Sequence, residues 1–150
     1  MNYWLVKSEH FKYPWAQLVK DKKAVWDGVR NYEARNNLRA MKKGDLVFFY
    51  HSNANPIGIT GIMKIVREAY PDFTAQNPDS KYYDPKSNSE NPRWFMVDVK
   101  FVRKLKRVIT LDELKQHADA LGDMALLRKG NRLSINPVSK EQWEYILGLE

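Results

Sequence analysis

Polar and hydrophobic positions alternate most cleanly over residues 95–101. Phe95, Val97, Val99 and Phe101 fall on one side, and Met96, Asp98 and Lys100 on the other. That period of two predicts a half-buried strand. Tyr3-Trp-Leu-Val6 reads as a short buried strand, and Leu46-Val-Phe-Phe-Tyr50 is continuously apolar, as a strand covered on both faces would be. Residues 57–66 form another strand, in which Gly58 and Gly61 permit a bend or a close backbone approach. The period shifts to helical over residues 32–41, where Ala34, Leu38 and Met41 recur at i, i+4 and i+7 and Gly44 marks the stop. A short helix follows Pro14, over residues 15–19. Thr110-Leu-Asp-Glu113 and Ser139-Lys-Glu-Gln142 both have capping-box spacing and open two late helices. Strands with helices inserted early and late give an α+β class. The doubly covered strands and bending glycines favour a small, curved, mostly antiparallel sheet or barrel with short flanking helices.

At 150 residues, with no repeat and no shift in composition, the chain is one domain. It has no Cys, which removes disulfides, thiolate catalysis and Cys-based zinc sites. His10, His51 and His117 have no ligand spacing, so no metal or cofactor is expected. No signal-peptide pattern opens the chain, and no apolar run approaches the ~20 residues of a membrane span. The expectation is a cytoplasmic protein without membrane contact, acting as a monomer. The net charge of +7 favours a phosphate-bearing partner, because Lys and Arg displace counterions from a nucleic-acid backbone. Residues 67–93 hold Pro71, Pro78, Pro85 and Pro92 and run too long for an idle connection. Tyr70, Phe73, Tyr82 and Tyr83 would pin this loop over the barrel.

Residues 25–39 gather a Trp, a Gly, three Arg and three Asn. Trp26 offers a stacking face or a core plug, and Gly28 a tight turn that lets the backbone approach a flat ligand. Asn31 caps the following helix or pairs with a base edge. Arg35 and Arg39 suit phosphate, with carboxylate pairing as the alternative. Lys7, Ser8 and Glu9 close the first strand, where they either meet a base edge or satisfy one another. Tyr50, His51 and Ser52 stand at a strand end that would line a barrel mouth. Arg132 and Ser134 share a strand face if that segment is extended. Lys100, Arg103 and Lys104 belong to a basic stretch that serves phosphate or guards a sheet edge, and Arg128 to a second basic cluster that serves phosphate or sits on a tethered loop.

The ordered blocks Tyr3-Trp-Leu-Val-Lys-Ser-Glu9, Trp26-Asp-Gly-Val-Arg-Asn-Tyr32, Ala34-Arg-Asn36 and Phe48-Phe-Tyr-His-Ser52 resemble the EVE domain family of the PUA-like superfamily. The likeness continues through Gly61-Ile-Met-Lys-Ile-Val66, Ala69-Tyr-Pro-Asp72, Tyr83-Asp-Pro85, Asn91-Pro-Arg-Trp94, Val97-Asp-Val99 and Arg132-Leu-Ser-Ile135. It implies a PUA-like pseudo-barrel and the reading of modified bases in DNA or RNA, much as the related YTH domains cage a methylated base. Trp26, Gly28, Val29, Arg30, Asn31 and Tyr32 are then expected in the base pocket with Lys7, Ser8, Glu9, Tyr50, His51, Ser52, Arg132 and Ser134. Arg35, Arg39, Lys100, Arg103, Lys104 and Arg128 are expected on phosphates. Two departures stand out. His10 occupies a position where the family often has Pro, and the basic extension that precedes the domain in eukaryotic relatives is not matched, which argues against carrying over nuclear targeting. No phosphate-loop or nucleophile-elbow motif points to catalysis. A binding module is therefore expected, with a nuclease of the same superfamily or a metabolite binder as alternatives.

Overall fold

The computed structural model describes residues 1–8, 15–52, 55–88 and 90–150. It is an α+β fold built on one six-stranded sheet in the order β2-β5-β4-β3-β1-β6. The strands are β1 (Tyr3–Ser8), β2 (Lys23–Trp26), β3 (Leu46–His51), β4 (Gly58–Pro71), β5 (Phe95–Thr110) and β6 (Ile135–Val138). All pairs are antiparallel except β1 with β3. Around the sheet lie α1 (Trp15–Asp21), α2 (Tyr32–Ala40), α3 (Leu111–Gln116), α4 (Ala118–Leu121) and α5 (Lys140–Leu147). None of the described helices is long and apolar enough to cross a membrane.

The predicted starts of these helices rest on visible caps. Asn31 accepts from the Ala34 amide at the head of α2, Thr110 from the Glu113 amide at α3, and Ser139 and Gln142 form a complete reciprocal box at α5. Met41 is the C-terminal cap of α2 and not part of its interior.

Strand β3 explains its unbroken apolar run. Val47 and Phe49 enter one core cluster with Trp4, Val6, Trp15, Leu18, Leu38 and Val99. Phe48 and Tyr50 enter a second with Leu5, Ile59, Ile109, Trp143 and Ile146. Helices α1 and α2 thus cover one face, and α3 to α5 the other. Trp15 can lie on the sheet because Gly61 has no side chain; a Cβ there would stand 2.2 Å from its ring.

Three features exceed the pattern-based expectation. Strand β4 runs on to Pro71 and β5 to Thr110, because each supplies the other's partners across a ladder with several register shifts. Such bulges bend and twist the strands. Strand β2 was not anticipated: its four residues pair only with β5, at the edge of the sheet. Residues 67–93 are not a plain loop, since β4 takes their start and a 3-10 turn, Phe73–Gln76, follows.

Candidate nucleic-acid interface

The described ladder does not close. Its edges are β2 and β6, yet the sheet curls far enough for β2 and the residues just before β6 to border one cleft of about 340 Å³. Val25 and Trp26 reach it from β2, Ser134 and Arg132 from the approach to β6, and Lys7 and Ser8 from the end of β1. Ser52 joins them from the end of β3. Two backbone bonds hold these ends in register: the Lys7 amide donates to the Ser134 carbonyl at 2.8 Å, and the Ser52 amide to the Ser8 carbonyl at 3.0 Å. The volume falls at the small end of the roughly 300–1,000 Å³ usual for ligand sites.

The remaining wall is the turn 27–30, held by the segment that follows β4. Gly28 has φ +76°, a conformation that glycine adopts without penalty. Its missing side chain is filled by the ring of Tyr82, whose carbon atoms lie 2.7–2.9 Å from where a Cβ would stand. The Gly28 amide donates to Asp72 at 2.9 Å. Arg30 completes the clamp, donating to Asp72 and the Val29 carbonyl, to the Tyr82 carbonyl through Nε and Nη2, and to Thr74. It borders the cleft, but its guanidinium serves the wall.

Stacked groups extend this clamp outward. The Arg30 guanidinium lies 5.5 Å from both the Tyr82 and Trp94 ring centres. Tyr32 stacks on Trp94 at 4.9 Å, and Arg35 covers Tyr32 at 4.8 Å. Trp94 donates its indole N–H to Asp84 at 2.7 Å. Tyr32 and Arg35 therefore brace the site from outside the cleft, and Arg35 also donates to the Arg93 carbonyl.

Two carboxylates in this region are pushed in opposite directions. Burial works to raise the Asp72 pKa, but hydrogen bonds from Thr74, Gly28 and Arg30 outweigh it and hold the group below its ordinary value of 3.8. Asp27, in the cleft wall, is shifted upward, first by burial and then by the charge of Asp72. Its carboxylate accepts no hydrogen bond from another described residue. Across the cleft, burial lowers the Lys7 pKa.

The cleft thus gathers Lys7, Ser8, Trp26, Gly28, Val29, Arg30, Ser52, Arg132 and Ser134. Glu9 and His10 lie outside the described residues. Asn31 sits beside the cleft as the cap of α2. Tyr50 and His51 need correction. Tyr50 is 3% exposed in the second core cluster, and His51 is 8% exposed and accepts the Trp15 amide on Nε2 at 2.9 Å. Strand side chains alternate, so Phe49 is the residue turned toward Trp26, at 5.7 Å and nearly perpendicular. Tyr50 faces the other layer.

The basic residues expected on phosphates are dispersed. Arg39 lies over the Phe95 ring at 4.7 Å, Arg103 pairs with Glu150 at 2.5 Å, and Arg128 pairs with Asp123 at 3.0 Å. Lys100 and Lys104 are exposed on β5. Val25, Asp27 and Tyr82 were missed as lining residues. Asp27 was in view beside Trp26, but Tyr82 lies 54 positions from Gly28 and has no local signal.

The family model of the EVE domain matches residues 2–149. Thymocyte nuclear protein 1 of Rattus norvegicus is 47% identical over 99% of this chain and 74% of its own length, and that of Homo sapiens 46% over the same shares. A Pseudomonas syringae protein of known structure is 50% identical with a TM-score of 0.93, covering 98% of both chains. The human THYN1 protein in complex with DNA containing 5-methylcytosine is 44% identical with a TM-score of 0.94, covering 99% of this chain and 97% of that one. The relatives' names overturn the cytoplasmic expectation, since they are nuclear proteins by name over 99% of this chain. The lack of an apolar span or signal pattern separates neither compartment from the other. A family match over nearly every residue, on a sheet curled around one cleft, leads to one conclusion: this chain belongs to the EVE domain family.

Proposed function

We propose that this chain is a nucleic-acid-binding module that reads a modified base in DNA, and that it holds the base in the cleft between the two sheet edges. The observation that carries this reading is the cleft wall made by Trp26, Gly28 and Tyr82, whose turn is locked by the Tyr82 ring against Gly28. The human relative's complex with 5-methylcytosine DNA supports cytosine methylation as the mark. An extruded base costs a few kcal/mol to unstack. Stacking on Trp26 recovers roughly 1–3 kcal/mol. Asp27, in the cleft wall, supplies a carboxylate able to accept the amino hydrogens of cytosine, a pairing suited to that base. Val25 and Val29 offer the apolar contact a methyl group needs, while Ser8, Ser52 and Ser134 supply small polar groups around the heterocycle. Arg132 and Lys7 bring positive charge to the rim, where phosphate contacts position the strand without specifying sequence.

The test is binding of two labelled duplexes that differ only in one cytosine methyl group, measured at two salt concentrations. The expected result is tighter binding of the methylated duplex at both, with affinity falling as salt rises. Equal affinity for the two duplexes would sink the reading. Shortening of the label, abolished by Asp27→Asn, would replace it with a nuclease.

A further inference from the structure

Outside the cleft, the sheet register brings three lysines into one row. Lys23 on β2 stands opposite Lys100 on β5, and Lys100 stands opposite Lys64 on β4. Residues directly opposite share a sheet face, and like charges so placed repel and destabilise the sheet. All three side chains are exposed, and among the described residues none makes an ion pair. Asp98, on the same face two positions from Lys100, is held by the Tyr70 hydroxyl at 2.5 Å. The row continues to Leu46 and Tyr3, where Trp143 of α5 covers the sheet. The lysines occupy the part that no helix covers.

Edge protection explains Lys23, because β2 is an edge strand. It does not explain Lys64 and Lys100, which belong to interior strands. A fold that keeps three opposed ammonium groups on an otherwise ordinary sheet face accepts a stability cost that an anion removes.

We propose that this row is a phosphate-binding site for the backbone of the same duplex whose base enters the cleft; in this it rests on the reading above. Strands lie about 4.8 Å apart, so the row spans roughly 10 Å. Each lysine carries its ammonium on a flexible four-carbon stem, so the three heads can spread to successive phosphates of one strand. The Lys23 end of the row approaches the cleft. Lys23 shares its face with Val25, two residues along β2, and Val25 lines the cleft. The contact is with backbone alone, so it supplies affinity without distinguishing methylated from plain DNA.

The test replaces the row by Lys23→Thr, Lys64→Thr and Lys100→Thr together and measures duplex binding across a salt series. The salt dependence, as log affinity against log salt, should become shallower by about 2.7, or about 0.9 per lost contact. The methylated-to-plain affinity ratio should stay unchanged, and the melting temperature of the free protein should not fall. The triple Lys→Arg variant should keep the original slope, and the single Lys64→Thr change should lose about 0.9 of it. An unchanged slope in the triple Thr variant overturns the proposal. So does loss of binding to phosphatidylserine vesicles with the DNA slope intact, which would make the row a membrane contact. If wild-type protein binds both duplexes equally yet the slope still falls, the base reading fails and the phosphate row stands.

Discussion

Two arginine–carboxylate pairs invite comparison, Arg30–Asp72 at the cleft and Arg103–Glu150 at the chain's end. The second is shorter, 2.5 Å against 3.1 Å. It also holds Glu150 at a pKa of about 2, chiefly through the hydrogen bond from Arg103. Yet Arg103 is 43% exposed, so water and salt screen the attraction from its side, although the Glu150 side chain is only 6% exposed. In the first pair the Asp72 side chain is fully buried, and the arginine side chain is 23% exposed. Asp72 also accepts from Gly28 and Thr74, so its removal would leave several donors without a partner at once. Distance is the weaker guide. Glu150 also accepts from the Lys106 amide, so what sets the first pair apart is where its partners lie: they fix the turn that walls the cleft.

The comparison can be broken most forcefully at Asp72. Asp72→Ala should cost roughly 3 kcal/mol in urea denaturation, since it strands a partly buried guanidinium. The depressed Asp72 pKa gives the sign of the acid dependence: the unfolded chain binds this proton first, so the stabilisation is full above the ordinary value of 3.8. It is lost as pH falls through the folded value. An Asp72→Ala variant should therefore lose that part of the acid-induced destabilisation in a pH series of melting curves.

Gly28→Ala should follow at roughly 2 kcal/mol, from left-handed strain and the collision with Tyr82. A melting curve like wild type would show that the Tyr82 segment moves aside. Trp26→Ala should weaken methylated-duplex binding by roughly 1–3 kcal/mol while the chain still unfolds cooperatively. Loss of the folded state instead would make Trp26 a core plug against Phe49. At the other pair, Glu150→Gln should cost less than about 1 kcal/mol in the same denaturation assay and leave duplex affinity untouched.

The smallest effect has the opposite sign. Asp27 has a raised pKa, so the folded chain binds its proton more tightly than the unfolded one. Its contribution to stability falls as pH rises from its ordinary value through the folded one. Asp27→Asn should therefore raise the melting temperature slightly at neutral pH and weaken binding, a trade expected of a residue kept for its ligand. A lower melting temperature would assign Asp27 to the scaffold.

The sequence was legible where the physics is local. Asn31, Thr110 and Ser139 announced their helices because a cap is a contact within one turn. The alternation at 95–101 announced β5 because one of its faces meets water. The run 46–50 identified a strand but not its sides, since an apolar residue at every position carries no alternation, and Tyr50 was placed on the wrong face for that reason. Strand β2 escaped because four residues hydrogen-bonded to one neighbour leave almost no pattern. In the cleft, the resemblance singled out the turn 26–32, but Asp72 and Tyr82 stand 44 and 54 positions beyond Gly28. Their role depends on how β4 and its following turn fold back, which no short window contains.

The open ladder has a consequence for how an occupant would be felt. Because β2 and the residues that lead into β6 line the same cleft, a molecule seated there would touch both ends of the sheet at once. The two ends of the sheet would then share one guest, and its departure would be felt by both.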